Sequence, residues 1–355
     1  MSEPLEINLS IQPTSRFELI DVSHRIREEV GEALAEFRKV LYCSLHTTAG
    51  YLEQGASARL GHSSRQLDPF FKLVQRIFPQ NAGYFHDRMQ LRDELTENEK
   101  EVEPVNGDSH LTFIGAGLNN CVTYRNKPQE PVYFVELDGV NRDVPRNRHT
   151  TALGYDHEEI VHRGRIELPG TDSHRIDSYN LRDPRFGLYA QLEEWLDEYG
   201  VERGRIDIRL GQEERDAGLT VNEYETLLMR NDLPEVLRDP LRYMVQRGRK
   251  LLKHPASIPG KTRDYATYDL IHLYNELMDS VPLGRAIIDR ILSVLSTPAY
   301  RMLRLKRSIS LLVSTSAETG PERIVQGTYQ TPILVQHHRP ERGVRHLDVM
   351  VRRFS

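Results

Sequence analysis

Residues 41–49, Leu-Tyr-Cys-Ser-Leu-His-Thr-Thr-Ala, carry an imidazole and two hydroxyls at the end of an apolar run. A histidine at a strand's end is held by a rigid element yet stands clear of the core, which suits a ligand or a catalytic base. For this stretch alone, a polar strand end making local hydrogen bonds is the better explanation of His46. Further polar groups follow in Tyr84-Phe85-His86-Asp87, in Asp108-Ser109-His110-Leu111, and in Glu136-Leu137-Asp138-Gly139 with Arg142. Arg142 carries a planar fork that matches phosphate or carboxylate, and Thr47 and Thr48 can donate to the same anion. Glu136 can ligate a cation, orient a histidine or act as a general base. For Asp138 the turn-forming Asp-Gly pair is the stronger explanation.

Taken in order, these pieces resemble the YjbQ-like family, whose members are described as secondary thiamine-phosphate synthases. The family pattern is a His-Thr-Thr-Ala strand end, a Tyr-x-His, a segment ending in His-Leu, then Glu-x-Asp-Gly with a following Arg. The resemblance implies a site built from His46, His86 and His110 as metal ligands, with Glu136, Arg142 and Thr47 as catalytic groups. Neutral imidazoles favour zinc or a similar transition metal over magnesium, which takes oxygen ligands. It also implies a small phosphorylated substrate, a thiamine-phosphate-synthase-like condensation with loss of pyrophosphate, and a homo-oligomer. Two departures stand out: Gln54-Gly55 occupies the place of the family's Asn-Glu, and Tyr124-Arg-Asn-Lys-Pro-Gln129 replaces its Gly-Thr-Trp-Gln.

The positioning elements follow from periodicity. Residues 16–21, 40–45, 110–115, 121–124 and 132–137 read as strands. A helix over 24–37, capped by Ser23, places Ile26, Val30, Leu34 and Phe37 on one face. A second over 67–78 turns Phe70, Leu73, Val74 and Ile77 inward, and Pro79 ends it. The acidic run 94–103 reads as an exposed loop or helix. Strands and helices in this order predict an α+β domain, a mixed or antiparallel sheet with helices packed on it.

The second half repeats the plan. A helix over 187–199 and a strand over 204–210 precede Leu219-Thr220-Val221-Asn222-Glu223, which is similar to the family's Leu-Thr-Ile-Asn-Glu. Gly327-Thr328-Tyr329-Gln330 is similar to its Gly-Thr-Trp-Gln, and strands follow at 333–336 and 346–351. The expectation is two tandem YjbQ-like domains, residues 1–155 and 156–355, the second degenerate. Glu214 then replaces His46, and Gln336 replaces Glu136. Residues 233–306 form a helical insertion whose basic positions read as solvated faces. A second His149-Thr150-Thr151-Ala152 has no apolar run before it and reads as a chance match.

Bulk properties agree with an enzyme or a ligand-binding assembly protein. The 355 residues are 38% hydrophobic and 28% charged, with net charge −5. That balance lacks the basic excess of a nucleic-acid binder. Cys43 and Cys121 lie in apolar runs and read as reduced core residues. With no signal-like N-terminus and no membrane-length apolar run, the expected location is the cytoplasm.

Overall fold

The computed structural model describes residues 3–170, 176–214, 217–238, 305–315, 323–336, 340 and 343–355. The helical insertion expected at 233–306 lies mostly outside the described residues. The chain divides into two compact units. One comprises Met1–Ala58, Gly117–Tyr224 and Leu305–Ser355; the other comprises Arg59–Ala116 and Glu225–Arg304. The first unit thus takes the strands of both sequence halves. No helix among the described residues is long and apolar enough to cross a membrane.

The chain opens with β1 (Leu5–Ile11), β2 (Glu18–Asp21), α1 (Val22–Val30), β3 (Lys39–Ser44), β4 (Ala49–Gly50) and α2 (Gln54–Arg59). Helices α3 (Ser64–Ile77), α4 (Glu97–Val102) and α5 (Gly107–Ala116) follow. Next come β5 (Cys121–Arg125), β6 (Tyr133–Glu136), β7 (Val140–Asn141), β8 (Val144–Pro145), β9 (Arg148–Tyr155), β10 (Glu158–Pro169) and β11 (Asp177–Asn180). After α6 (Leu188–Glu198) the chain forms β12 (Arg203–Leu210), β13 (Ala217–Asn222) and α7 (Leu233–Arg238). It closes with β14 (Ser308–Ser314), β15 (Ile324–Val325), β16 (Thr331–Gln336) and β17 (Val344–Phe354). The class is α+β, and the sheets of the first unit are antiparallel.

The sheets of the two halves share one strand order. The first half has β1-β9-β3-β5 and β2-β6-β4; the second has β10-β17-β12-β14-β15 and β11-β16-β13. The registers align them residue by residue. Ala49 lies opposite Glu136, and Ala217 opposite Gln336, so Gln336 holds the ladder place of Glu136. Three residues before those alanines stand His46 and Glu214. Ser44 pairs with Thr150 and Leu210 with Leu347, which sets Arg148-His149 level with Arg345-His346.

Strand β3 is buried along nearly its whole length because both of its faces are covered. Val40 and Tyr42 enter the first-half core with Ile26, Phe37 and Phe134. Leu41 and Cys43 join Leu153 and Tyr155 against Leu312, Val325 and Phe354 of the second half. Two-faced burial explains why this strand reads as a continuous apolar run rather than an alternation. Within that layer the rings of Tyr155 and Phe354 stack, 3.8 Å apart and 4° from parallel. Cys43 and Cys121 are both free and buried.

Three sequence readings are corrected. Residues 110–115 are helical, not a strand. Nearly every residue of α5 is buried, so the segment has no polar face to reveal its period. Helix α1 starts earlier and stops sooner than 24–37. Asp21, not Ser23, caps it by accepting from the His24 N–H at 2.9 Å, and Gly31 ends it at φ 67°. His149-Thr150-Thr151-Ala152, set aside for want of a strand, lies within β9, hydrogen-bonded between β1 and β3. Its threonines satisfy themselves locally: Thr150 donates to the Cys43 carbonyl at 2.8 Å and Thr151 to Asn8 at 2.6 Å.

Candidate functional site

In the first unit, β3 releases the chain at Ser44, whose hydroxyl donates to the Ala49 carbonyl at 2.7 Å and closes the loop bearing His46. Beside this loop β9 begins with Arg148, 5% exposed. Its guanidinium takes Glu136 with both arms, Nε to Oε2 at 2.6 Å and Nη2 to Oε1 at 2.9 Å. Nη2 also donates to the Thr48 hydroxyl at 3.2 Å and the Asp138 carbonyl at 2.9 Å. The remaining arm, Nη1, lies 3.5 Å from His46 Nδ1. His46 Nε2 accepts the backbone N–H of His149 at 2.7 Å, and the two imidazoles stack at 6.1 Å.

These neighbours set the charge states. Burial, then the fields of Arg148, His149 and Arg146, lower the His46 pKa to about 3. The imidazole is therefore neutral at physiological pH. Burial pushes the Glu136 carboxyl above its usual range, against the pull of Arg148 and of the Asp138 N–H. Asp138 is itself buried and pairs with Arg146 at 2.6 Å and Arg16 at 3.9 Å. The adjoining Gly139 has no room for a side chain: a Cβ there would stand 2.5 Å from Pro13 Cβ and 2.6 Å from the Ser15 carbonyl. The Asp-Gly pair is thus an ion-pair anchor as well as a turn.

The loop is held from the second half of the chain. Gln330, 1% exposed, donates its amide to the carbonyls of Ser44 at 3.0 Å and His46 at 2.8 Å. Gln330 is fixed in turn by the Gly327 N–H at 3.0 Å. Asn222, fully buried, donates to the Thr47 carbonyl at 3.1 Å. A Cβ on Gly327 would fall 1.8 Å from the Leu45 carbonyl oxygen, so only glycine permits this approach.

At the matching place in the second half the groups are exchanged. Arg345 Nη1 donates to Glu214 at 2.6 Å, and the His346 N–H donates to the same carboxylate at 2.9 Å. Glu214 thus stands where His46 stands, and the arginine's carboxylate has moved from the strand to the loop. Arg307 donates to the carbonyls of Leu210, Gly211 and Glu214, so this loop is satisfied from its own half. Glu213, Glu214 and His346 bring three possible ligand atoms within 4.8 Å of one another. With Glu214 bonded to Arg345, that cluster is already charge-compensated.

His86 and His110 belong to the second unit. Both are fully buried, their rings 5.1 Å apart and edge-on. His86 Nδ1 meets Glu225 at 3.1 Å and Nε2 meets Asn106 Oδ1 at 3.0 Å. The N–H groups of Phe85 and His86 donate to Asp232 at 2.9 and 2.8 Å. Burial pushes the Glu225 carboxyl up. His86 and the N–H groups of Leu227 and Leu228 outweigh it and hold the carboxyl below its usual range.

The predicted residues therefore fall as follows. Glu136 and His46 flank Arg148. Thr47 contributes its carbonyl, and the hydroxyl at Arg148 is that of Thr48. Arg142 is exposed at the tip of the β7–β8 hairpin, where its φ of 49° and the 64° of Asp143 mark a tight turn. Arg148, Arg146 and His149 were missed. The signal for Arg148 was its place before a Thr-Thr-Ala strand, the stretch set aside as chance. Neither His46 nor His86 has a ring nitrogen open to a metal in this arrangement. Both ring nitrogens of His86 are hydrogen-bonded, His46 Nε2 is taken by an amide, and His46 Nδ1 faces a guanidinium.

No family model matches the chain, and no curated protein matches it. Among solved structures it is similar to a hypothetical protein from Aeropyrum pernix K1, with 16% identity and a TM-score of 0.28 over 54% of this chain and 98% of that one. It is also similar to a YbjQ-like protein of unknown function from Sulfolobus solfataricus P2, at 15% identity and a TM-score of 0.28 over 56% and 99%. An uncharacterized conserved protein of the yjbq/upf0047 family from Clostridium acetobutylicum shows 15% identity and a TM-score of 0.24 over 53% and 98%.

Proposed function

We propose that this protein is an enzyme acting on a small phosphorylated molecule at the His46–Arg148–Glu136 site. The observation that carries the reading is a neutral imidazole set among arginines. His46 is held unprotonated beside Arg148, with Arg146 supplying further positive charge. Such a site attracts a phosphate, and His46 takes a proton once its Nε2 has left the His149 N–H. Glu136 positions Arg148 rather than taking protons, because both its oxygens are engaged. The resemblance suggests a thiamine-phosphate-synthase-like condensation, in which the arginines would carry the departing pyrophosphate's charge. Zinc or a similar ion would be held by His46 only in a state where its Nε2 has left the His149 amide.

The repeated strand order and the register matches support a tandem origin. In this reading the second half, with Glu214 and Gln336 in place of His46 and Glu136, serves as scaffold and supplies Gln330 and Asn222 to the working loop. A second reading, a noncatalytic ligand-binding protein, is favoured by the saturation of Glu136. The test is pyrophosphate release from paired phosphorylated pyrimidine and thiazole substrates, with thermal stabilisation by each substrate recorded alongside. Loss of a positioned base costs on the order of 10²–10⁴-fold in rate, so His46→Asn should lose at least about a hundredfold. Stabilisation without turnover would favour the binding reading. Equal turnover by His46→Asn would overturn the proposed site.

A further inference from the structure

A separate cavity of about 300 Å³ lies in the first unit, between β5 and the face of the sheet formed by β12, β14 and β17. The register places Arg205, Asp207 and Arg209 of β12 on that face, opposite Ser310 and Ser308 of β14. Arg352 of β17 lies level with Arg205. The volume is at the small end of ligand-sized pockets.

The charges of these walls do not cancel. Asp207 binds Arg205 Nε at 2.8 Å and Arg352 Nε at 2.7 Å, and accepts the Ser310 hydroxyl at 2.7 Å. Glu158 lies 3.5 Å from Arg205 and 3.7 Å from Arg352 and pairs with Lys39 at 2.9 Å, so each of these cations has a carboxylate partner. Glu53, at the rim, pairs with Lys306 at 3.2 Å. Asp348, across the ladder from Arg209, is engaged by Arg165 at 2.7 Å. Arg209 alone is left: it is exposed and has no side-chain partner among the described residues, nor does the neighbouring Ser308 hydroxyl. Beneath them lie Ile309 and Cys121, both buried.

An uncompensated guanidinium fork beside a vacant hydroxyl, over an apolar floor, is complementary to an oxyanion on a small organic body. We propose that this cavity is a second binding site, distinct from the His46 site, for a small molecule bearing one carboxylate or phosphate group. Arg209 holds the oxyanion and Ser308 donates to it. The fixed Arg205–Asp207–Arg352 lattice keeps the walls rigid and leaves Arg209 as the lining guanidinium without a side-chain partner among the described residues.

Thermal stability would be titrated with inorganic phosphate and, separately, with succinate, in the full chain and in Arg209→Ala, Ser308→Val and His46→Asn. The expected result is stabilisation by one of the two anions, which identifies the oxyanion. Arg209→Ala should need at least about tenfold more of it for the same shift, and Ser308→Val about threefold more. His46→Asn should keep the part of the response that Arg209→Ala loses, which separates this site from the proposed active site. Equal responses in Arg209→Ala and the parent would overturn the proposal, as would no stabilisation of the parent by either anion.

Discussion

Replacing His46 by Asn should flatten the acid sensitivity of folding. Asn can still accept the His149 N–H but does not titrate. In the folded protein His46 is lowered from 6.5 to about 3. Between those values the unfolded chain binds a proton that the native state refuses. Stability from this residue is therefore present above pH 6.5 and lost as pH falls toward 3. One unit is worth about 1.4 kcal/mol, so the loss between pH 6.5 and pH 5 is about 2 kcal/mol. Urea unfolding at about pH 7.5, 6 and 5 measures it, with stability extrapolated linearly at each pH. Other groups also titrate in this range, so the informative quantity is the parent's fall minus the variant's. That difference should be about 2 kcal/mol. Equal falls would refute the argument that burial and Arg148 keep this imidazole neutral.

Further outcomes follow from the same geometry. Arg148→Met leaves the Glu136 carboxylate buried and unpaired, and should cost about 3–5 kcal/mol in urea unfolding; pairing it with Glu136→Gln should restore most of that. Gln330→Ala strips donors from the Ser44 and His46 carbonyls and should cost about 1–3 kcal/mol, with a larger proportional loss in turnover than Arg209→Ala. Gly327→Ala forces the Leu45 carbonyl away and should lower the melting temperature, by an overpacking cost of about 1–3 kcal/mol or more. Glu214→Ala should destabilise through Arg345 yet leave turnover of the folded fraction within about twofold, because the first-half site does not use it.

The sequence made the strands under heavy burial legible and concealed the polar contacts that cross between them. Residues 40–45 stood out because both faces of β3 are covered, and the helices at 67–78 and 187–199 showed clear apolar faces. The ladder positions that Glu214 and Gln336 share with His46 and Glu136 were legible because register preserves spacing. Arg148 was hidden for a physical reason. A strand that begins with a buried ion pair and hydroxyl hydrogen bonds shows no apolar alternation, so hydropathy gives it no weight. Helix α5 was misread because complete burial erases the difference between a helix and a short strand. Gln330's role was suspected from its motif alone. Its targets, two backbone carbonyls, have no signature in sequence.

The clamp on the His46 loop also has a consequence in time. Gln330 reaches back 286 residues to Ser44 and 284 to His46. During synthesis the ribosome adds about 5–20 residues per second, so the loop waits roughly 15–60 s for its donors. Strand β3 can find β5 and β9 well before then. A nascent chain therefore passes through a stage in which its first-half sheet is paired while the carbonyls at Ser44 and His46 still face water. Competence at this site should appear late and abruptly, with the emergence of residues 327–330, rather than growing with the length of chain made.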